Sequence, residues 1–256
     1  MKTIAVNSIK GGTGKTTISI ILLNALTGAG CKCLAIDADL ANNSLSFYYN
    51  SGIPYERIYE KNIFNIFSGS PIQENILSIN DRLDLVHADV RLGDFRNTAS
   101  LKRLKKAMEG LEYDYAVIDT APTFDNITVN VCNAGDVLLI PTHQDIFDYQ
   151  SVQYLFDKIT ELELVHLDIH VIFNQYEKPK TENKSTFSNQ ITDLFTEDER
   201  IKRFMNPHYL SKSNFIKKYI NAKEFQITVR NETKKQYEEI RDLVQDITGI
   251  TIEGDI

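Results

Sequence analysis

The 256-residue chain carries 28 Lys and Arg against 35 Asp and Glu, a formal charge of −7, with 42% hydrophobic and 10% aromatic residues. That composition excludes intrinsic disorder, and three cysteines, two of them in Cys31-Lys32-Cys33, exclude a disulfide-stapled scaffold. The most apolar run, Ile18 to Leu26, is broken by Ser19 and Asn24 and falls short of the ~20 residues a membrane span requires; Met1-Lys2 leads straight into a strand-like segment rather than a signal peptide.

In chain order, short β-rich apolar runs alternate with longer amphipathic ones. Strands are predicted at Thr3–Asn7, Cys33–Asp37, Leu83–His87, Tyr115–Asp119, Val137–Pro141 and Leu167–Asn174, with a shorter one near Ile201–Met205. Helices are predicted at Thr16–Thr27, Thr98–Glu109, Phe124–Cys132, Asp148–Glu161, Ser185–Phe195 and Asn231–Ile247, the first stopped by Gly28 and Gly30. Residues 42–80 read as short helices inserted between the second and third strands. Ala116-Val117-Ile118 and Val137-Leu138-Leu139-Ile140 are apolar on both faces, as parallel strands covered on both sides must be. The pattern predicts one α/β domain over residues 1–256, a doubly wound, mainly parallel sheet flanked by helices.

The first strand runs into Lys10-Gly11-Gly12-Thr13-Gly14-Lys15-Thr16-Thr17. The spacing G-x-x-x-x-G-K-[ST] is not met, because Ile9 stands where its first Gly would be, but the compact core is present. Glycines let backbone N–H groups curl around phosphate oxygens, Lys15 offers a point charge, and the Thr16 hydroxyl can join a Mg²⁺ shell. The helix that follows adds the positive end of its dipole. Lys10 is an extra cation that cannot easily reach phosphates enclosed by its own loop. Cys33-Leu34-Ala35-Ile36-Asp37-Ala38-Asp39 ends a strand in two carboxylates on one face, an arrangement that calls for a cation or a polar network. Tyr115-Ala116-Val117-Ile118-Asp119 is a second strand ending in an acid. Alone, such an Asp is more often a helix cap; its place in the order loop, D-x-D, strand-Asp points to Mg²⁺ instead.

These motifs resemble the ParA/MinD family of P-loop ATPases with a deviant phosphate loop, most closely a small partition ATPase. The resemblance implies a P-loop fold and ATP with Mg²⁺ bound by Gly11, Gly12, Thr13, Gly14, Lys15, Thr16 and Thr17. It also implies a homodimer in which Lys10 crosses to the nucleotide of the second subunit. By the same resemblance, Asp39 positions the hydrolytic water, so that Lys10, Lys15 and Asp39 serve catalysis. Thr16, Asp37 and Asp119 support the metal, and Asn174 contacts adenine. Pro122 fits the family's pattern after the third motif. Leu40-Ala41 and Ala121 depart from residues frequent in partition members, and 206–215 lacks the usual Ile-Pro-Arg.

Within the family the branches differ in cargo. A MinD-like regulator of division or flagellar placement uses a basic amphipathic C-terminal helix, whereas Asp242 to Ile256 contains four acids and neither Lys nor Arg. Membrane recruitment through this tail is therefore not expected. A bridging iron–sulfur cluster would need a partner for Cys132, and the other cysteines lie in the early strand. A P-loop metabolic ligase of the dethiobiotin-synthetase kind would need a small-molecule pocket that the sequence does not display. Residues 200–241, by contrast, hold eleven basic and four acidic side chains, a local +7 against −14 elsewhere. This points to non-specific DNA binding through Arg203, Lys217, Lys218, Arg230, Lys234 and Lys235. The expectation is a cytoplasmic, nucleoid-associated DNA-partition ATPase of slow turnover, stimulated by a centromere-binding adaptor protein. No helix-turn-helix precedes the loop, so operator reading is not expected.

Overall fold

A computed structural model describes residues 1–42, 44–98, 100–178, 187–214, 216, 220 and 234–253. The strands are β1 (Lys2–Val6), β2 (Cys33–Ala38), β3 (Leu77–Asn80), β4 (Leu83–Val86), β5 (Tyr115–Thr120), β6 (Val137–Thr142), β7 (Asp168–Tyr176) and β8 (Leu210–Ser211). They form one sheet in the order β3-β4-β2-β5-β1-β6-β7-β8, parallel throughout except for the β3–β4 pair. Every residue of β2, β5 and β6 is buried. The physical reason is visible in the alternation. Leu34, Ile36, Ala116, Ile118, Leu138 and Ile140 face one core layer, while Cys33, Ala35, Tyr115, Val117, Val137 and Leu139 face the other. Period-two side chains thus cover both faces, so these strands are apolar at successive positions until their carboxyl ends, where Asp37, Asp119 and Thr142 stand.

One layer is closed by α4 (Ile63–Ser68), α5 (Arg103–Met108), α6 (Asn126–Ala134), α7 (Ile146–Glu161) and α8 (Phe187–Glu197), the other by α1 (Lys15–Gly28), α2 (Ser44–Tyr49) and the C-terminal Lys234–Thr248. Short helices α3 (Tyr55–Glu60) and α9 (Glu199–Lys202) lie at the periphery, and the C-terminal helix is α10 (Lys234–Thr248). Helix α1 is apolar nearly all round because it is buried nearly all round: Ile18, Ile20 to Leu23, Ala25 and Leu26 are inaccessible. Truncating one of these, Leu22→Ala for example, costs about 2–5 kcal/mol. The helix stops where Gly30, at φ +94°, lets Cys31 N–H return to the Leu26 carbonyl. Helix α10 buries a single stripe, Tyr237, Ile240, Leu243, Val244 and Ile247. Its last carbonyls accept hydrogen bonds from Lys2 Nζ (2.7 Å to Ile247 O) and the Tyr115 hydroxyl (3.1 Å to Thr248 O). Cys33 and Cys132 are buried, and burial pushes both thiols up to about 12.

Three expectations are corrected. Ile201–Met205 is not a strand: Asp198 accepts a hydrogen bond from Arg200 N–H and starts α9, whose Ile201 is buried, and only Met205 bridges to β7. The edge strand on that side is β8. Residues 42–80 do hold short helices, but end in the antiparallel β3, whose Leu77 packs inward while Ser78 is exposed. The helix expected over Thr98–Glu109 contracts to α5, because Thr98 belongs to a turn that closes on the Phe95 carbonyl. Residues 185, 186 and 231–233 of two other expected helices lie outside the described residues.

Candidate functional site

Strand order reverses at β1, which lies between β5 and β6, and the carboxyl ends of such strands form the crevice where ligands bind in open α/β sheets. The loop leaving β1 reaches α1 through Gly12 (φ +81°) and Gly14 (φ +96°), both left-handed. Gly14 is the N-cap of α1 and supplies no side-chain cap, so the first amides of the helix face the cleft unpaired by any cap. A Cβ on Gly14 would collide with the carboxamide nitrogen of Asn174, which donates to the Thr13 carbonyl at 2.8 Å. Glycine is required there twice over.

Lys15 is nearly buried, and its Nζ lies 3.4 Å from the Lys10 carbonyl. Burial lowers its pKa, and the charges of Asp119 and Asp39 oppose that shift. The Thr16 hydroxyl donates to Asp119 Oδ2 (2.6 Å) and the Ser19 hydroxyl reaches Asp119 Oδ1 (3.2 Å). Ser19 escaped the sequence reading, although it follows Thr16 by one helical turn, on the same face. The β2–β5 register sets Asp37 beside Asp119, and both are fully buried. Burial, then the charge of Asp37, pushes the Asp119 carboxyl up, against the Thr16 hydrogen bond and Lys15. Burial likewise raises Asp37, against amide donors from Ser46 and Asp39.

Asp37 spends its oxygens locally: Oδ1 accepts Asp39 N–H (3.0 Å) and Oδ2 accepts Ser46 N–H in α2 (2.8 Å). Asp39 is held by the Ala41 and Asn42 amides at Oδ1 and by the Asn42 carboxamide at Oδ2 (3.1 Å). A cleft of about 260 Å³ is lined by Gly11, Lys15, Thr16, Asp39, Asn42 and Pro122, among others. A second space of about 430 Å³ adjoins it at Gly12, Gly14 and Thr17 and extends past Asn174 and Gln175 to Ser211, Asn214 and Ile220. Thr16 and Asp119 offer hard oxygens, one of them a buried carboxylate held by the Thr16 and Ser19 hydroxyls, a donor set that fits Mg²⁺. Neither Asp37 nor Asp119 lines the cleft directly: Asp119 lies behind Thr16, and Asp37 accepts the Ser46 amide of α2.

Lys10 lies apart from this cleft. Its ammonium is 2.7 Å from Asp145 Oδ1 and 2.5 Å from Asp148 Oδ1, at the start of α7, with the exposed Phe147 ring 5.8 Å away. Asp145 caps α7, and Asp148 also accepts His143 N–H at 2.8 Å. Neither acid was singled out from sequence; the signal available was D-x-x-D at the start of a helix.

Of the expected DNA contacts, Lys217, Lys218 and Arg230 lie outside the described residues. Arg203 stacks on the Phe204 ring at 4.6 Å, and Lys234 and Lys235 face Glu238 and Glu239 at 3.8 and 3.6 Å. Lys212 pairs with Glu177, and Arg200 with Asp157 and Asp198, so acids from outside the basic stretch neutralise part of its charge. No helix among the described residues is long and apolar enough to cross a membrane.

The AAA domain family matches residues 1–171. The MJECL24 protein of Methanocaldococcus jannaschii is 32% identical over 195 residues, covering 70% of this chain and 74% of that one. The sporulation initiation inhibitor protein Soj of Bacillus subtilis is 29% identical over 168 residues, or 62% and 64% of the two chains. The chain therefore spans from 64% to 74% of the length of these curated relatives. Among solved structures, a protein assigned to plasmid partition in Borrelia burgdorferi B31, bound to AMPPNP, superposes with a TM-score of 0.77 at 25% identity over 96% of this chain and 98% of that one. With the glycine loop, Lys15 and the Thr16–Asp119 pair assembled at the switch point of a P-loop sheet, the chain belongs to the ParA/MinD family of P-loop ATPases.

Proposed function

We propose that this protein is an ATP-driven, dimerising switch of the partition type, whose ATP-bound pair grips DNA and whose hydrolysis, stimulated by a centromere-binding adaptor, releases it. The observation that carries the reading is the convergence of the loop residues, Lys15, Thr16 and Asp39 on one cleft, with Asp119 buried behind it and accepting the Thr16 hydroxyl. In this reading the amides of Gly11 to Thr17 and the Lys15 ammonium bind the phosphates. Thr16 and Asp119 hold Mg²⁺, which neutralises charge on the phosphoryl oxygens. Asp37 organises Asp39 and α2 from behind, through its hydrogen bonds to their amides. Asp39, at the cleft, orients the attacking water. The second space receives the nucleoside. Lys10, once freed from Asp145 and Asp148, reaches the nucleotide of a second copy.

The DNA part is supported by the local +7 of residues 200–241. It is also supported by position: Ser211, Lys212 and Asn214, which wall the nucleoside space, belong to the basic stretch itself. Nucleotide and DNA sites would then share one segment. The test is DNA-bead retention with ATP and with ADP, beside ATP turnover and liposome sedimentation. Equal or absent DNA retention in both nucleotides sinks the DNA part, and sedimentation with anionic vesicles would favour a MinD-like regulator.

A further inference from the structure

Asn174 lies near the end of β7, 161 residues from the loop it touches. It is 7% exposed, and its carboxamide nitrogen donates to the carbonyl of Thr13, itself buried. The same nitrogen occupies the space that a Cβ of Gly14 would need. Within the loop no side chain caps α1, because Gly14 stands at the N-cap. The backbone around Asn174 is irregular. The β7–β8 register shifts between Asn174 and Tyr176, and Gln175 adopts φ +54°, a left-handed conformation uncommon outside glycine.

The planarity of the peptide bond converts this contact into a constraint on the cleft. In a trans peptide the C=O and the following N–H point in opposite directions. Pinning the Thr13 carbonyl toward Asn174 therefore turns the Gly14 N–H away from Asn174, on the opposite side of that peptide plane. Glycine has little steric preference between the two orientations, so nothing on the Gly14 side opposes a flip of the Thr13–Gly14 peptide. Nothing inside the loop's own sequence prevents that flip.

We propose that Asn174 is a positioning residue for phosphate binding: its carboxamide locks the Thr13–Gly14 peptide, so that the loop amides are set for phosphate before nucleotide arrives. This differs from the adenine contact implied by family resemblance, and it rests on the nucleotide-binding reading above. The comparison that separates the two roles is ATP against inorganic tripolyphosphate, each with Mg²⁺, titrated calorimetrically into the wild type and Asn174→Ala. The expected result is a loss of about tenfold for both ligands by the same factor, the size of one buried hydrogen bond. A tenfold loss for ATP with tripolyphosphate unaffected overturns the proposal in favour of base recognition. Tripolyphosphate failing to bind a wild type that binds ATP also overturns it, since a preset loop holds phosphate alone. A wild type that binds neither ligand refutes the nucleotide reading instead. Hydrogen exchange of the Ile18 amide, which closes the first turn of α1 on the Gly14 carbonyl, tests the lock independently without nucleotide, in Asn174→Ala and in Asn174→Asp, which sets an oxygen against the Thr13 carbonyl. Melting curves verify that each variant is folded. Exchange about tenfold faster in both is expected, and unchanged exchange in both overturns the lock.

Discussion

The Lys10 ammonium lies 2.5 Å from the Asp148 carboxylate, a group only 1% exposed, and so the extra lysine of the phosphate loop is held by its own chain. Burial lowers the lysine's pKa, but hydrogen bonds and charge from Asp145 and Asp148 more than offset this and leave it raised. Asp145 is lowered first of all by its hydrogen bond to Lys10, and Asp148 is lowered against its burial by His143 and Lys10. Any role for Lys10 in a second subunit begins with breaking this clasp.

The pH dependence of the clasp follows from those directions. The two carboxyls contribute stability above the unfolded carboxylate pKa of about 4, and lose it as pH falls through their lower folded values. Lys10 contributes below the unfolded lysine pKa and loses it only as pH rises through a value above 10.5. Asp148→Asn is therefore expected to cost about 2 kcal/mol at neutral pH, a cost that fades as pH falls from neutrality to about 3. Urea unfolding of both proteins across that range measures it.

Lys10→Ala leaves the cleft lining intact. The variant should bind ATP within about threefold of the wild type, yet form no ATP-dependent dimer and lose at least about 100-fold in turnover, the scale of removing a fixed charge from a transition state. Light scattering with ATP and a phosphate-release assay read the two effects. An ATP-dependent dimer of normal size would falsify the trans role.

The buried Asp119 carboxylate is a second point at which charge sets stability. Its carboxyl is buried, raised by desolvation and by Asp37, and so is unfavourable as an anion until a cation is present. Asp119→Asn should raise the melting temperature of the nucleotide-free protein at pH 7.5 by about 2–4 °C, the shift of roughly 1 kcal/mol in a chain of this size. The same variant should abolish Mg²⁺-dependent enhancement of ATP affinity. A lower melting temperature would show that its bonds to Thr16 and Ser19 outweigh the buried charge.

Lys234 and Lys235 each face an acid one helical turn on, at 3.8 and 3.6 Å. Both lysines are exposed, and Glu239 already accepts two hydrogen bonds from Ser211, so phosphate can compete for the lysines. If both contact DNA, Lys234→Ala with Lys235→Ala lowers the slope of log affinity against log salt by about 2, with no change in sequence preference. Fluorescence anisotropy at several salt concentrations in ATP gives that slope; an unchanged slope places the contact elsewhere.

Much of the candidate site was legible in the sequence because it is built from local rules. Gly12 and Gly14 announce left-handed backbone, and Asp39 and Asp119 close two-sided apolar strands that have only one place to go in a parallel sheet. The edges were less legible. Strand β3 has four residues and β8 two, too short for periodicity to register, while Ile201 looked like strand and is the buried face of a short helix.

The sequence by itself determined the fold class, the loop and the order of the acids, since each depends on residues adjacent in the chain. Only the tertiary structure decided who faces whom. Lys10 meets acids about 135 residues away, Asn174 meets a carbonyl 161 residues away, and Asp37 turns from the cleft to the amides of Asp39 and Ser46. The opening charge of −7 concealed a basic stretch, and folding in turn brings Glu177, Asp157 and Asp198 against it. Hydrogen bonds and ion pairs act over about 3 Å of space whatever the separation along the chain, so these partnerships exist only once the sheet has set its neighbours.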